Sequence, residues 1–512
     1  MKIKSTMIVL SVLLAALVVG LGFAIATHGA PIGAVPPSDD DATSNTTTTG
    51  DENATEPPVE TVSPYDVNGY LKDDLPEDLD LNQEKVTILY DSHSYAQEFE
   101  SEGITGDLIN DAIYNRNETV SSRLNVNMQF VGINGRNDTS GFTAAVNNDV
   151  QSGAAEYDII GTYSQLPAAF AMSGSIVDLM SLEYLNFDQP WWPATMVEQA
   201  SIQNHLYFCT GDISTNLLWM MHVVFFNKDM INALKLEDPY TLVDDMKWTV
   251  DKMFEMTKGV YEDLNGNGIA DSADRYGMTL YTQSLDANFA SAGLVCVDKD
   301  EQGYFKIADS LSSEKTVNLL TKFCEWVHES GDVIHDTSTG VRAVMGEGRS
   351  LFIEDRAFVA KDHLVGQDMF GYGIMPAPAY DSEQEGYITN VGYPHNIYCI
   401  SSGISADRMN RAAAVLECLA SEGYRQVTPA LFETTMKVKY AEDEKTSEIY
   451  DMIKTNIDFD PARIYVKEFG ADLASLFKNS VIQNSTAWAS RIKAVMNVAS
   501  KKCAQINSTL GG

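Results

Sequence analysis

Cations are the scarce residues of this chain of 512 residues: 35 Lys and Arg stand against 72 Asp and Glu, a net charge of −37. Nucleic acid and anionic lipid are poor partners for it, because their phosphates meet repulsion. Neutral or cationic ligands suit such a composition. Cysteine is sparse as well. The six cysteines (Cys209, Cys296, Cys324, Cys399, Cys418 and Cys503) are scattered with no C-x-x-C pair, which excludes the common zinc and redox motifs. Their neighbours Phe208, Val295, Phe323, Ile400 and Leu419 are apolar, which favours buried free thiols and leaves one or two disulfides open. No cysteine precedes Cys209, so a lipid-modified cysteine at the end of a signal segment is excluded.

Catalytic motifs are missing too. There is no G-x-S-x-G elbow, no H-E-x-x-H and no G-x-x-x-x-G-K-[ST] phosphate loop. The fragments Gly371–Gly373 and Gly346–Gly348 lack a third spaced glycine, and the spacing of His328 and His335 suits no common metal pair on a helix. Acids are so abundant that no glycosidase pair can be singled out by counting.

What the chain does carry begins at its N-terminus. Lys2 and Lys4 precede an uncharged apolar run from Met7 to Ala26 that ends in small residues. This pattern predicts export by residues 1–26, as a cleaved secretory signal or as an uncut anchor about long enough to span a bilayer. Residues 27–81, rich in Thr, Pro, Asp and Glu, cannot bury enough apolar surface to offset their ordering entropy, and read as a disordered tether. Beyond it the length implies two lobes or domains rather than one core. KVTILYDSH, NVNMQFVGI and YDIIGTYS read as strands, with a helical face of Ile109, Ile113, Val120 and Leu124 between the first two. That alternation predicts an α/β body with a parallel sheet covered by helices. Further strands are expected in VVFFNKDMINAL, RYGMTLY, SLFIEDRAFVA, FGYGIMPAP and HNIYCISSG. Helices are expected from Asp407 onward, the last with Trp488, Ile492, Val495, Ala499, Cys503 and Ile506 on one face.

Several strings, taken in order, resemble one family. GSIVDLMSLEYLNFDQPWW, VVFFNKDMINALKLEDPYTLVDDMKWTVDKM, ADRYGMTLY, FGYGIMPAPAYDSEQEGY and LECLASEGYRQVTPALFETTMKVKYAEDEKTSEIYDMI are similar to the extracellular solute-binding proteins of bacterial ABC importers, carbohydrate-type. The resemblance runs from about Val86 to the end. It implies a two-lobed periplasmic-binding-protein-like fold with the ligand in a cleft between α/β lobes. Lobe 1 would hold 82–216 plus 375–420, and lobe 2 would hold 217–374 plus 421–512. It also implies a monomer outside the cytoplasm that delivers a carbohydrate to permease subunits. A secreted glycosidase, or a surface protein binding a peptide or other small solute, is the alternative. The family's lipid-modified cysteine is missing here, which bears on anchoring rather than on binding.

The same resemblance nominates cleft loops and, on them, Tyr95, Tyr163, Gln165, Asn216, Asn288, Phe289 and Phe358 as ligand contacts. Aromatic rings suit the C–H face of a sugar, and amides suit its hydroxyl edge. Covering ~60 Å² of sugar face at about 25 cal/mol/Å² contributes ~1.5 kcal/mol per ring, against roughly 8 kcal/mol for micromolar binding. Trp191, Trp192 and Trp219 read as packing residues, and His395 as a structural histidine.

One stretch stands apart. DLNGNGIADSAD places oxygen donors at Asp263, Asn265, Asn267, the Ile269 carbonyl, Asp271 and Asp274, with Gly268 at the sharp turn. This is the ligand rhythm of an EF-hand loop and predicts a structural Ca²⁺. Its twelfth residue is Asp rather than Glu, and its flanks are helix before and strand after, which excludes a sensor that swings two helices apart. A polar turn without metal is the alternative.

Overall fold

The computed structural model describes residues 63–101, 103–336, 340–365, 370–441 and 443–512. The export segment at 1–26 and the tether up to residue 62 lie outside them. Part of the expected tether is folded, which corrects its boundary at residue 81. Leu75 and Leu81 are buried, and the Asp73 carboxylate pairs with Arg123 and Arg425 and accepts the Ser421 hydroxyl at 2.8 Å. Burial raises the Asp73 carboxyl, but the two guanidinia outweigh it and hold it below the usual carboxylate range. A few leucines and one buried ion cluster thus order a stretch whose composition reads as unstructured.

Two sheets organise the body. The first has the order β2-β1-β3-β11, formed by β1 (Lys85–Asp91), β2 (Asn127–Ile133), β3 (Ile159–Tyr163) and β11 (Asn396–Ile400). The first three strands are parallel, with Ile88 opposite both Phe130 and Ile159, and β11 is antiparallel to β3. The second has the order β10-β4-β9-β5-β8, from β4 (His222–Asn227), β5 (Tyr276–Tyr281), β8 (Val333–Asp336), β9 (Ser350–Arg356) and β10 (Tyr372–Pro376). There β5 runs parallel to β8 and β9, while β4 is antiparallel to β9 and β10. Strands β4, β9 and β10 are buried throughout, as expected of sheets covered by helices on both faces. A small hairpin, β6 (Val297–Lys299) with β7 (Phe305–Ile307), packs under the C-terminal helix Trp488–Leu510.

The chain passes from one sheet to the other after β3 and returns after β10. These two crossing segments pair with each other: the Met221–Val391 bridge is flanked by His222 N–H to the Asn390 carbonyl at 2.9 Å and Gly392 N–H to the Met220 carbonyl at 2.8 Å. Met375 and Pro376, expected in lobe 1, pair with Val224 and Val223 in the second sheet. The return therefore starts after β10. A third passage follows helix Ala406–Glu422, which packs on β1. Residues 423–439 still lie against helix Leu108–Arg123 of the first sheet's side, and the passage ends with helix Glu444–Thr455, which packs on β10.

A buried carboxylate fixes this junction. Glu98 accepts Ser214 Oγ at 2.8 Å, Asn216 Nδ2 at 2.7 Å, Asn396 Nδ2 at 2.6 Å and Tyr398 Oη at 2.8 Å. A buried charge is tolerated when its lone pairs are filled in this way. The network ties the loop after β1 to the first crossing and to the start of β11.

Candidate functional site

Strand ends from both sheets converge on one cleft of about 420 Å³, within the range of small-molecule sites. Arg136 follows β2; Tyr163 ends β3 and Gln165 follows it; Tyr281 ends β5 and Gln283 follows it; Arg356 ends β9. His222 opens β4, and Tyr393 and Pro394 lead into β11. Because β4 and β11 run antiparallel to their neighbours, all these positions lie at the same ends of their sheets. Outside the carboxyl ends of parallel strands, at the point where the chain changes sheet, is where open α/β folds bind ligands. The C-terminal segments add Arg463, Val466, Lys467, Ser475 and Lys478. A larger recess of about 660 Å³ is lined by Gln97, Phe99, Tyr114, Asn117, Met128 and Phe130, among others, all from the first lobe. No strand end of the second sheet reaches it, so it is not the cleft.

Local chemistry sets each cleft side chain. Asp91, at the end of β1, accepts Gly135 N–H at 2.7 Å and Arg136 N–H at 3.3 Å, fixing the loop that carries Arg136. Asp460 accepts Ala462 N–H and Cys296 N–H, both at 2.8 Å, which seats the short helix bearing Arg463. Arg463 lies over the Tyr393 ring at 4.3 Å. Asp286 Oδ2 receives Lys478 Nζ at 3.0 Å and has Arg463 Nη1 at 3.3 Å, the latter without hydrogen-bond alignment. Lys478 Nζ also donates to Gln283 Oε1 at 2.6 Å. Gly392 keeps this packing open, since a Cβ there would stand 2.8 Å from Arg356 Cδ.

The electrostatics follow from that placement. Burial pushes the Tyr163 phenol up to about 12, although Arg136, Arg463 and Arg356 each pull it down. Burial, together with Arg356, Arg463 and Lys478, holds His222 well below the ordinary histidine range, so its imidazole is neutral. Burial likewise lowers His395 to about 4; its Nδ1 faces the Gly392 carbonyl at 2.9 Å and its Nε2 has no partner. At the cleft, His222 Nδ1, Tyr393 Oη, Arg463 Nη1 and Asp286 Oδ1 are buried without a hydrogen-bond partner.

Of the residues nominated from sequence, Tyr163 and Gln165 stand on the cleft wall. The others lie elsewhere. Asn216 is wholly buried, and its amide joins the Ala96 backbone and Glu98 at 2.7–2.8 Å. The segment carrying Asn288 and Phe289, expected as a cleft loop, forms helix Ser284–Ser291. On it Asn288 donates to buried Glu354 at 2.7 Å, and Phe289 packs on Phe477 at 5.4 Å. A helix replaces the loop because Leu285, Asn288 and Phe289 share a core face, leaving Gln283 and Asp286 toward the cleft. Tyr95 and Phe358 meet each other at 4.8 Å, and Tyr95 Oη donates to Asp362 at 2.8 Å. Tyr95 lines a separate recess of about 520 Å³ with Trp219, Lys361 and Tyr440. Phe358 supports Arg356 and Arg342 from beneath, at 4.9 and 5.0 Å. Trp191 and Trp192 are core residues whose indole N–H groups both donate to Glu417, at 2.9 and 3.0 Å. The cleft cations escaped sequence reasoning: they come from five separate segments, and nothing local distinguishes Arg463 or Lys478 from any other surface-type residue.

The DLNGNGIADSAD loop closes upon itself. Asp263 accepts Gly266 N–H at 2.7 Å and Gly268 N–H at 2.8 Å. Asp274, fully buried, accepts Leu264 N–H and Asp271 N–H at 3.1 Å and the Tyr261 hydroxyl at 3.2 Å. Asn265 and Asn267 turn their NH₂ groups to Asp271 and their oxygens to backbone N–H. The oxygens suit a hard cation by type, but in this conformation they do not form its shell. Among the described residues no group of three or more His, Cys, Asp or Glu is placed to hold a metal ion.

All six cysteines are free and buried, and burial raises each thiol above its ordinary range, which makes them poor nucleophiles. Among the described residues no helix is long and apolar enough to cross a membrane.

No protein-family model matches this chain, and no curated protein matches it in sequence. Solved structures do match. A cyclo/maltodextrin-binding protein complexed with maltotetraose aligns with 82% of this chain and 97% of its own, at 12% identity and a TM-score of 0.54. The maltose-binding periplasmic protein MalE of Listeria monocytogenes, in complex with maltose, aligns with 83% of this chain and 98% of its own, at 13% identity and a TM-score of 0.53. The GacH receptor of Streptomyces glaucescens, solved unliganded and with acarbose, aligns with 84% and 99%, at 14% identity and a TM-score of 0.50. The likeness is one of fold: this chain has the two-lobed α/β architecture of those binding proteins.

Proposed function

We propose that this protein binds a carbohydrate, an oligosaccharide in size, outside the cytoplasm and delivers it to the permease of an ABC importer. One observation carries the reading: a single cleft at the strand ends of both sheets, lined by Tyr163, Tyr281 and Tyr393 and by buried polar atoms without partners. A sugar answers both features, with C–H faces for the rings and hydroxyls for the polar atoms. Three structures of like fold are named for maltotetraose, maltose and acarbose, which supports the same class of ligand. Lobe closure over the paired crossing segments would bury the sugar and present one shape to the permease.

Binding rather than hydrolysis fits the wall. A glycosidase needs two carboxyl groups flanking the bond, whereas Asp286 is the one carboxylate among the described residues lining the cleft, and Lys478 holds it. Export rests on residues 1–26, with a folded body acting as a monomer at the cell surface. A structural Ca²⁺ in the loop is part of the proposal: the ion would replace the amide contacts at Asp271 by turning the Asn265 and Asn267 oxygens inward. Isothermal titration with mono- and oligosaccharides tests the main reading. Saturable binding without product formation is expected; release of shorter sugars, or no binding across the panel, would overturn it.

A further inference from the structure

The cleft reverses the charge of its own protein. The chain carries about two acids for each cation, 72 to 35. The cleft wall carries Arg136, Arg356, Arg463, Lys467 and Lys478 against Asp286 alone. That acid is already shared by Arg463 and Lys478, at 3.3 and 3.0 Å. Arg356 has Asp355 behind it at 3.1 Å, but Asp355 is held at 2.6 Å by Arg342. Asp355 thus serves two cations and leaves one positive charge over, whereas Arg463 also feels Asp460; Arg136 and Lys467 add to the excess on the wall. His222 is neutral and its Nδ1 has no hydrogen-bond partner. Lys478 and Arg356 are each only 8% exposed, so water relieves little of this excess. Buried charge without a counter-charge is costly, and a ligand that supplies one recovers that cost on binding.

We infer that the cleft selects an acidic saccharide, one bearing carboxylates in the manner of a uronate oligosaccharide. This rests on the carbohydrate reading above and narrows it, replacing the neutral or cationic ligand that overall composition suggests. Guanidinium forks match carboxylates in plane and spacing. The cations stand on both sides of the cleft, Arg136 after β2 and the others on the second sheet and the C-terminal helices. Such a spread suits acid groups on successive sugar units better than one compact anion. In a chain of net charge −37, this patch also gives an acidic ligand an attractive destination, a source of specificity more than of raw affinity.

The test is titration of the wild-type protein with a panel of uronate oligosaccharides, and with the same compounds after reduction of their carboxyls to alcohols. The acidic forms are expected to bind at least tenfold tighter, with the preference shrinking as salt rises. The exposed pair R136Q/K467Q, checked for an unchanged melting temperature, should lose most of that preference. Equal binding of the acidic and reduced forms would overturn the inference and leave the carbohydrate reading standing. Binding of neither form, or of oligoglutamate in their place, would overturn both. Equal affinity for an oligosaccharide that carries sulfate esters and no carboxylates would remove the carboxylate assignment.

Discussion

The cleft wall and the DLNGNGIADSAD loop are both dense in polar side chains, and they differ in how their atoms are used. In the loop, carboxylates of Asp263, Asp271 and Asp274 accept N–H donors from within a dozen residues. At the cleft, side chains from distant segments meet and leave His222 Nδ1 and Tyr393 Oη without a hydrogen-bond partner. Buried polar groups are ordinarily hydrogen-bonded. The loop needs nothing further to satisfy its polar atoms, whereas the unmatched atoms at the strand-end junction are positions that the proposed ligand would fill. A motif legible in sequence has become the smaller claim, and a constellation invisible in sequence the larger one.

The sharpest way to break the comparison is to turn a satisfied residue into an unsatisfied one. Asn216→Ala removes one donor, the amide Nδ2, from buried Glu98 and frees the N–H and carbonyl of Ala96, so a loss of roughly 2–4 kcal/mol in stability is expected. Denaturant unfolding measures it, and a loss below about 0.5 kcal/mol would mean that Asn216 faces a ligand instead of the junction.

Tyr163→Ala should act the other way. Removing a cleft ring costs ~1.5 kcal/mol of contact, about tenfold in Kd by titration, with little change in unfolding. A variant that unfolds easily but binds normally would reclassify Tyr163 as core.

A third test uses pH. Burial raises the carboxyl of Glu354 to about 8, that of Glu417 to about 7 and that of Asp460 to about 6. The folded chain thus keeps protons that the unfolded chain releases near pH 4–4.5. Their contribution is fully present below that range and is lost as pH rises through about 6 to 8. The melting temperature should fall from pH 5 to pH 8. Glu354→Gln, which keeps a neutral side chain throughout, should flatten part of that slope; an unchanged slope would remove Glu354 from the explanation.

The smallest effect belongs to the loop. Ca²⁺ should raise the melting temperature by a few degrees over the same protein in EDTA and leave ligand affinity unchanged. Identical melts would make the loop a turn held by its own hydrogen bonds.

Secondary structure was largely legible because it is written in local patterns. Eight strands, β1–β5 and β9–β11, fall in strings read as strands, while the short β6, β7 and β8 do not; the face of the last helix holds, with Trp488, Ile492, Ala499, Cys503 and Ile506 buried. The lobe boundaries were less so, because β10 and residues 423–439 take their side from packing partners far along the chain. The site was legible only where a strand end fixes it, as at Tyr163 and Gln165. Asn288 and Phe289 missed by a few places, since the face of a short helix, not its position after a strand, decides which side chains reach the cleft. Arg463 and Lys478 could not have been read at all. They enter from helices that begin more than sixty residues beyond the last of the strands they join.

A crystal structure with a bound uronate oligosaccharide tests the central claim most directly. The account predicts the sugar between Tyr163 and Tyr393, with carboxylates against Arg136, Arg463 or Lys478. Sugar seated instead in the recess of Tyr95, Trp219 and Tyr440 would contradict it.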